Sequence, residues 1–161
     1  KRRIRIFQML ARTHAAIGFL TALFLFPFFR IKWFLFFPAV VFGSILPDID
    51  HEGSKVNQLL PLTKYFSKLF KHRGFFHSIF PVLFFVFLEL SFKLDGIGIA
   101  LALGYLSHLL SDGLTPTGVN LLHPAAKLRI EGFIPTGGIV EAAVFVFVIV
   151  ADIVKLFLLV L

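Results

Sequence analysis

Residues 96–118 read GIGIALALGYLSHLLSDGLTPTG. The run is apolar through Leu106 and then ends among Ser107, His108, Ser111 and Asp112. A membrane-crossing helix needs roughly 20 mostly apolar residues, and the stretch from 96 to 113 has that character. On such a helix His108 and Asp112 are four apart and share one face, where both can grip one cation, with Ser107 and Ser111 on a neighbouring stripe. The plainer reading is a hydrogen-bonded pair that fixes the helix end. The company this pair keeps along the chain decides between the two.

The rest of the 161 residues is equally apolar: 58% hydrophobic, 23 Phe and a mean hydropathy of +0.91. Soluble domains hold roughly 45–50% apolar residues, so the composition predicts a membrane protein. Five candidate spans follow, at about 13–29, 33–47, 75–93, 96–113 and 138–160. Pro27, Pro38 and Pro81 lie in or beside them and are expected to kink helices rather than end them. The expected architecture is all-α, an integral membrane bundle of about five spans in a single domain over 1–161. The basic start KRRIR lacks a small-x-small cleavage site and reads as the lead into a retained first span.

Without cysteine, disulfides, thiolate zinc sites and a cysteine nucleophile are excluded, leaving His, Asp and Glu as metal ligands. The net charge of +7 in so apolar a chain records orientation and headgroup contact rather than nucleic-acid binding, and no nucleic-acid partner is expected. Lys1, Arg2, Arg3, Arg5, Arg12, Lys55, Lys64, Lys68, Lys71, Arg73, Lys127 and Arg129 fall on one side of the spans. Arg30, Lys32 and Lys93 fall on the other, and Lys155 lies within the last span. This imbalance puts the N-terminus and both long connections in the cytoplasm, with the chain in the inner membrane.

The polar residues fall on that same side. His14 begins the first span, Asp48, Asp50 and His51 end the second, and His72 and His77 begin the third. His108 and Asp112 end the fourth, and Glu141 begins the fifth. Ionisable groups at the edge of hydrocarbon are costly and therefore functional candidates, and five helix ends offering them on one face suggest a single site. Each has a plainer role as well: His14 at the interface, Asp48 as a helix N-cap, Glu141 as a favourable charge at a helix start, Lys71-His72-Arg73 as a basic loop. A mixed His/carboxylate set suits zinc or manganese, and two or three ions could share so many ligands.

The stretches THAAIG (13–18), GSILPDIDH (43–51), HRGFFHS (72–78) and GYLSHLLSDGLTPTGVNLLHP (104–124), in this order, resemble the YdjM-type inner-membrane metal-dependent hydrolases. The resemblance runs over roughly residues 13–141. More remotely the pattern is similar to zinc-dependent phospholipases C and related nucleases. That likeness implies that His108 and Asp112 hold one ion with His77, that Glu141 and Asp48 or Asp50 hold a second, and that His14 serves a third. Gly137 stands where those enzymes have a further histidine.

The expected activity is metal-dependent hydrolysis of a phosphoester at the cytoplasmic interface, on a phospholipid-like substrate, with Asp48 or Asp50 orienting the attacking water. Arg73, Ser107 and Thr115 are the candidates to contact substrate. A metal or proton transporter built on the same cluster is the main rival, although transporters place ligands near mid-bilayer. A basic membrane scaffold is the other.

Overall fold

The computed structural model describes residues 9–50 and 74–161. His51, His72, Arg73 and the stretch at 52–71 lie outside the described residues. Helix α1 spans Ala11–Leu25 and tightens into a 3-10 turn, Phe26–Phe28. Helix α2 spans Trp33–Ile45 and runs into a 3-10 turn, Leu46–Asp50. A 3-10 turn at Phe75–His77 precedes α3, Phe80–Phe92, which is followed by α4, Ile97–Gly113. Strands β1, Val119–Asn120, and β2, Arg129–Ile130, pair antiparallel before α5, Ile139–Val160.

The chain is thus mostly helical, with two differences from the expected bundle. The first is the small hairpin in the connection from 114 to 137, where Val119 pairs with Ile130. The second is helix length. At about 1.5 Å per residue, the 13 residues of α2 and of α3 reach only about 20 Å, short of a core about 30 Å thick. Among the described residues two helices are long and apolar enough to cross a membrane: α1 with its 3-10 extension, Ala11–Phe28, and α5 over Ile139–Leu159. The prolines explain part of the shortening. Pro27 sits where α1 gives way to the 3-10 turn, and Pro81 opens α3, where its missing N–H costs nothing. Among the described residues, Pro38 is the proline that lies in a helix interior.

Helix α4 is the centre of the packing, and glycine sets how near its neighbours come. A Cβ on Gly104 would stand 1.9 Å from the Val40 carbonyl oxygen, and one on Gly43 would stand 2.4 Å from that of Leu101. The α2 and α4 backbones therefore touch, as small residues allow at helix crossings. Around this contact lie Ala22, Phe36, Val40 and Ala100 on one side and Val82, Tyr105 and Leu109 on another. Glu89, for which the sequence suggests no role, ties the α3–α4 turn: its two oxygens accept from the N–H groups of Gly96 and Gly98, both at 2.9 Å. By contrast α5 leaves Phe147, Val150, Ile153, Val154 and Phe157 exposed, a face suited to lipid.

Candidate metal centre

The helices alternate in direction, so the start of α1, the end of α2, the approach to α3 and the end of α4 meet at one end. His108 illustrates how the fold prepares the site. Ser44 lies in the last turn of α2, where carbonyls lack intrahelical partners, and its oxygen is 2.8 Å from His108 Nδ1. A carbonyl only accepts, so Nδ1 carries the proton and Nε2 the lone pair. Nε2 is buried without a hydrogen-bond partner, 3.9 Å from Asp48 Oδ1 and 4.0 Å from Asp112 Oδ2.

His14 is set in the same way. The Ser111 hydroxyl donates to the His108 carbonyl at 2.9 Å and therefore accepts from His14 Nδ1 at 3.0 Å. His14 Nε2 is thereby turned to Asp112 Oδ1, 3.4 Å away. The His14 and His108 rings stack with centroids 3.8 Å apart. His77, from the 3-10 turn before α3, brings Nε2 to 3.8 Å from Asp112 Oδ2. Histidines whose Nδ1–H is held by a carbonyl or hydroxyl while Nε2 points inward are arranged as metal ligands are.

Two groups of three have donor atoms that all lie within 4.8 Å of one another: His14, Asp48 and His108, and His77, His108 and Asp112. His77 and His108 are 0% exposed, His14 1%, Asp112 2% and Asp48 8%. Nitrogen–oxygen separations of 3.4–4.0 Å are too long for hydrogen bonds. They approach the edge of a tetrahedron about 3.4 Å wide, which ligands at about 2.1 Å from zinc would define. The orphaned His108 nitrogen and the imidazole–carboxylate donor set thus fit a first-row divalent ion. Because His108 has one lone pair to give and both groups need it, the described donors complete one group at a time.

Of the eight residues expected as ligands, the structure brings together His14, Asp48, His77, His108 and Asp112. His72 lies outside the described residues, as does Arg73, and Asp50 is described only through its backbone, at the end of the 3-10 turn. Glu141 stands apart from both groups. Its Oε1 accepts from Leu10 N–H at 2.5 Å and the Thr13 hydroxyl at 3.1 Å, and its Oε2 accepts from Gly137 N–H at 2.5 Å. The carboxylate is spent on joining the start of α5 to the start of α1. Glu141→Ala should therefore cost about 1.5–3 kcal/mol, the range for hydrogen bonds to a charged group, while bound metal stays at the wild-type level. Thermal unfolding in detergent read beside metal content checks this, and metal loss as large as in a His108 variant would return Glu141 to the ligand set.

The expected substrate contacts also change character. The Ser107 hydroxyl donates to Gly104 O at 2.7 Å, a bond within its own helix. Thr115 is 0% exposed, and its hydroxyl donates to Asp112 O at 2.7 Å. Its carbonyl accepts from Gly118 and Gly132, so it knots the turn after α4 rather than facing a substrate. The orienting parts were the least visible in sequence. Ser111 shares the helical stripe of Ser107, but the Ser44 carbonyl has no residue-type signal at all.

Residues 9–160 match the family described as YdjM inner membrane protein. The chain is 36% identical over 115 residues to "Inner membrane protein YdjM" of Escherichia coli (strain K12), a match covering 66% of this chain and 58% of that protein, and the same figures hold for that of Shigella flexneri. It is 35% identical over 105 residues to "Uncharacterized protein YvsG" of Bacillus subtilis (strain 168), covering 63% of this chain and 66% of the relative. The match spans 58% of the length of the two YdjM proteins. No solved structure matches. With the match running from two residues before α1 to the last residue of α5, the chain belongs to the YdjM inner membrane protein family.

Proposed function

We propose that this chain is a membrane-embedded, metal-dependent hydrolase that cleaves a lipid phosphoester at the cytoplasmic face. The observation that carries this reading is the convergence of His14, Asp48, His77, His108 and Asp112, with the tautomers of His14 and His108 set by Ser111 and the Ser44 carbonyl. Membrane embedding is supported by family membership, by the bare apolar face of α5 and by the two long apolar helices. Helix α2 fits a five-span arrangement through its 3-10 extension. At about 2.0 Å rise per residue, Leu46–Asp50 lengthens α2 to about 30 Å. The excess of Lys and Arg on the cluster side supports a cytoplasmic N-terminus.

A divalent ion held there would supply Lewis acidity toward a phosphoryl oxygen and would acidify water. In this reading Asp112 offers one oxygen toward His14 and the other toward His77 and His108, and Asp48, the least buried donor, lies nearest the way in. Asp48 or Asp50 takes the proton of the attacking water. The phosphorus–oxygen bond to the alcohol breaks, and the proton returns to that alcohol. Arg73 steadies the phosphate with its guanidinium fork.

Purified protein should carry zinc or manganese and should cleave phospholipid in mixed micelles. Both metal and cleavage should fall with a chelator and return with added metal. Metal-free protein, or cleavage indifferent to chelation, would sink the reading.

A further inference from the structure

At the end of the bundle away from the cluster, the α1–α2 connection and the α3–α4 turn line an open pocket of about 520 Å³. Its walls include Phe29, Leu35 and Ile99 and three charged residues, Arg30, Lys32 and Asp95. Gly96 allows the two connections to meet, since a Cβ there would stand 2.3 Å from Ile31 Cδ1. Asp48 lies sixteen positions beyond Lys32 along helix and turn, so the pocket and the cluster lie about 24 Å or more apart.

The three charged residues are exposed at the pocket mouth. None makes an ion pair among the described residues, and the Lys32 ammonium rests only 5.9 Å from the centre of the Phe34 ring. Lys32 is also the N-cap of α2, whose first turn has no acidic residue and no capping side chain. The positive end of the helix dipole therefore adds to Arg30 and Lys32, a setting that favours phosphate. Asp95 on the same wall disfavours a ligand that is only anionic. An ammonium beside the phosphate would satisfy it.

We propose that this pocket binds the headgroup of an aminophospholipid, its phosphate at Arg30 and Lys32, its primary ammonium at Asp95, and its glycerol and upper acyl chain along Phe29, Leu35 and Ile99. A primary ammonium has three N–H donors for a carboxylate, whereas a choline group has none. Phosphatidylglycerol offers the phosphate without the cation. The site thus selects phosphatidylethanolamine over both. It requires membrane embedding and is independent of the hydrolytic reading, because none of its residues belongs to the metal cluster.

Trp33, the chain's one tryptophan, follows Lys32 and is 65% exposed, so it reports on lipid at this site. The full chain would be placed in phosphatidylcholine vesicles carrying a minor fraction of brominated lipid of one headgroup at a time. Brominated phosphatidylethanolamine should quench Trp33 at about fivefold lower mole fraction than brominated phosphatidylcholine or phosphatidylglycerol, the factor expected of one partly desolvated ion pair. Asp95→Asn should erase its advantage over both phosphatidylcholine and phosphatidylglycerol, whereas Arg30→Gln with Lys32→Gln should weaken quenching by all three lipids, which share the phosphate. Equal quenching by the three lipids in the wild type, phosphatidylglycerol ahead of phosphatidylethanolamine, or a preference that survives Asp95→Asn would overturn the proposal. So would a preference that also vanishes in Arg129→Gln, at the cluster end.

Discussion

If the cluster is the metal-dependent hydrolytic site proposed above, His108→Ala should abolish metal binding, and with it hydrolysis, more completely than any other single change in the cluster. His108 belongs to both groups of three, so its loss leaves neither intact. Removing a partner that merely supports a ligand costs roughly 10- to 100-fold in affinity or activity, and loss of the shared ligand should exceed that. His77→Ala provides the contrast. It leaves His14, Asp48 and His108 in place, so metal should still bind, more weakly than in the wild type and more tightly than in His108→Ala. Metal titration of the three purified proteins reads the order directly. Equal affinities in the two variants would mean that the groups do not share His108 in the way the geometry describes.

Gly104→Ala should be the most damaging substitution outside the cluster. The added methyl would stand 1.9 Å from Val40 O and 2.9 Å from Ser44 N, both backbone atoms that no rotamer change can move. Overpacking of this kind costs about 1–3 kcal/mol, and α2 and α4 must separate to relieve it. Separation lengthens the 2.8 Å bond from His108 Nδ1 to Ser44 O, which is what holds the Nε2 lone pair toward the carboxylates. The variant should therefore melt at lower temperature in detergent and bind metal more weakly. Gly138→Ala serves as the control, because a Cβ there meets nothing within 4 Å. Wild-type melting and metal affinity in Gly104→Ala would refute the link between glycine packing and the site.

Some of this was legible before any coordinates. The apolar segments gave way to helices close to the expected positions, because hydropathy and helix-breaking prolines act locally. The pairing of His108 with Asp112 follows from helical periodicity alone. The gathering of His14, Asp48, His77 and Asp112 at one end follows from the alternating direction of consecutive helices.

Other features depend on where backbones meet. The third segment is expected from 75, but the helix starts at Phe80, because the phenylalanines of the 3-10 turn Phe75–His77 share the apolar composition of the helix that follows. The β1–β2 hairpin rests on two residues per strand, too few to leave a periodic trace.

The sequence by itself determined the helical class, the apolar faces and the end of the bundle at which chemistry-bearing residues would collect, since each rests on local periodicity and hydropathy. Only the tertiary structure decided which of those residues meet. Glu141 and Thr115 were drawn into tying segments together, while His14 and His108 were turned inward by a hydroxyl and a backbone carbonyl. That division follows from hydrogen bonds between residues 64 and 97 positions apart, whose partners are set by how closely glycine lets the helices approach.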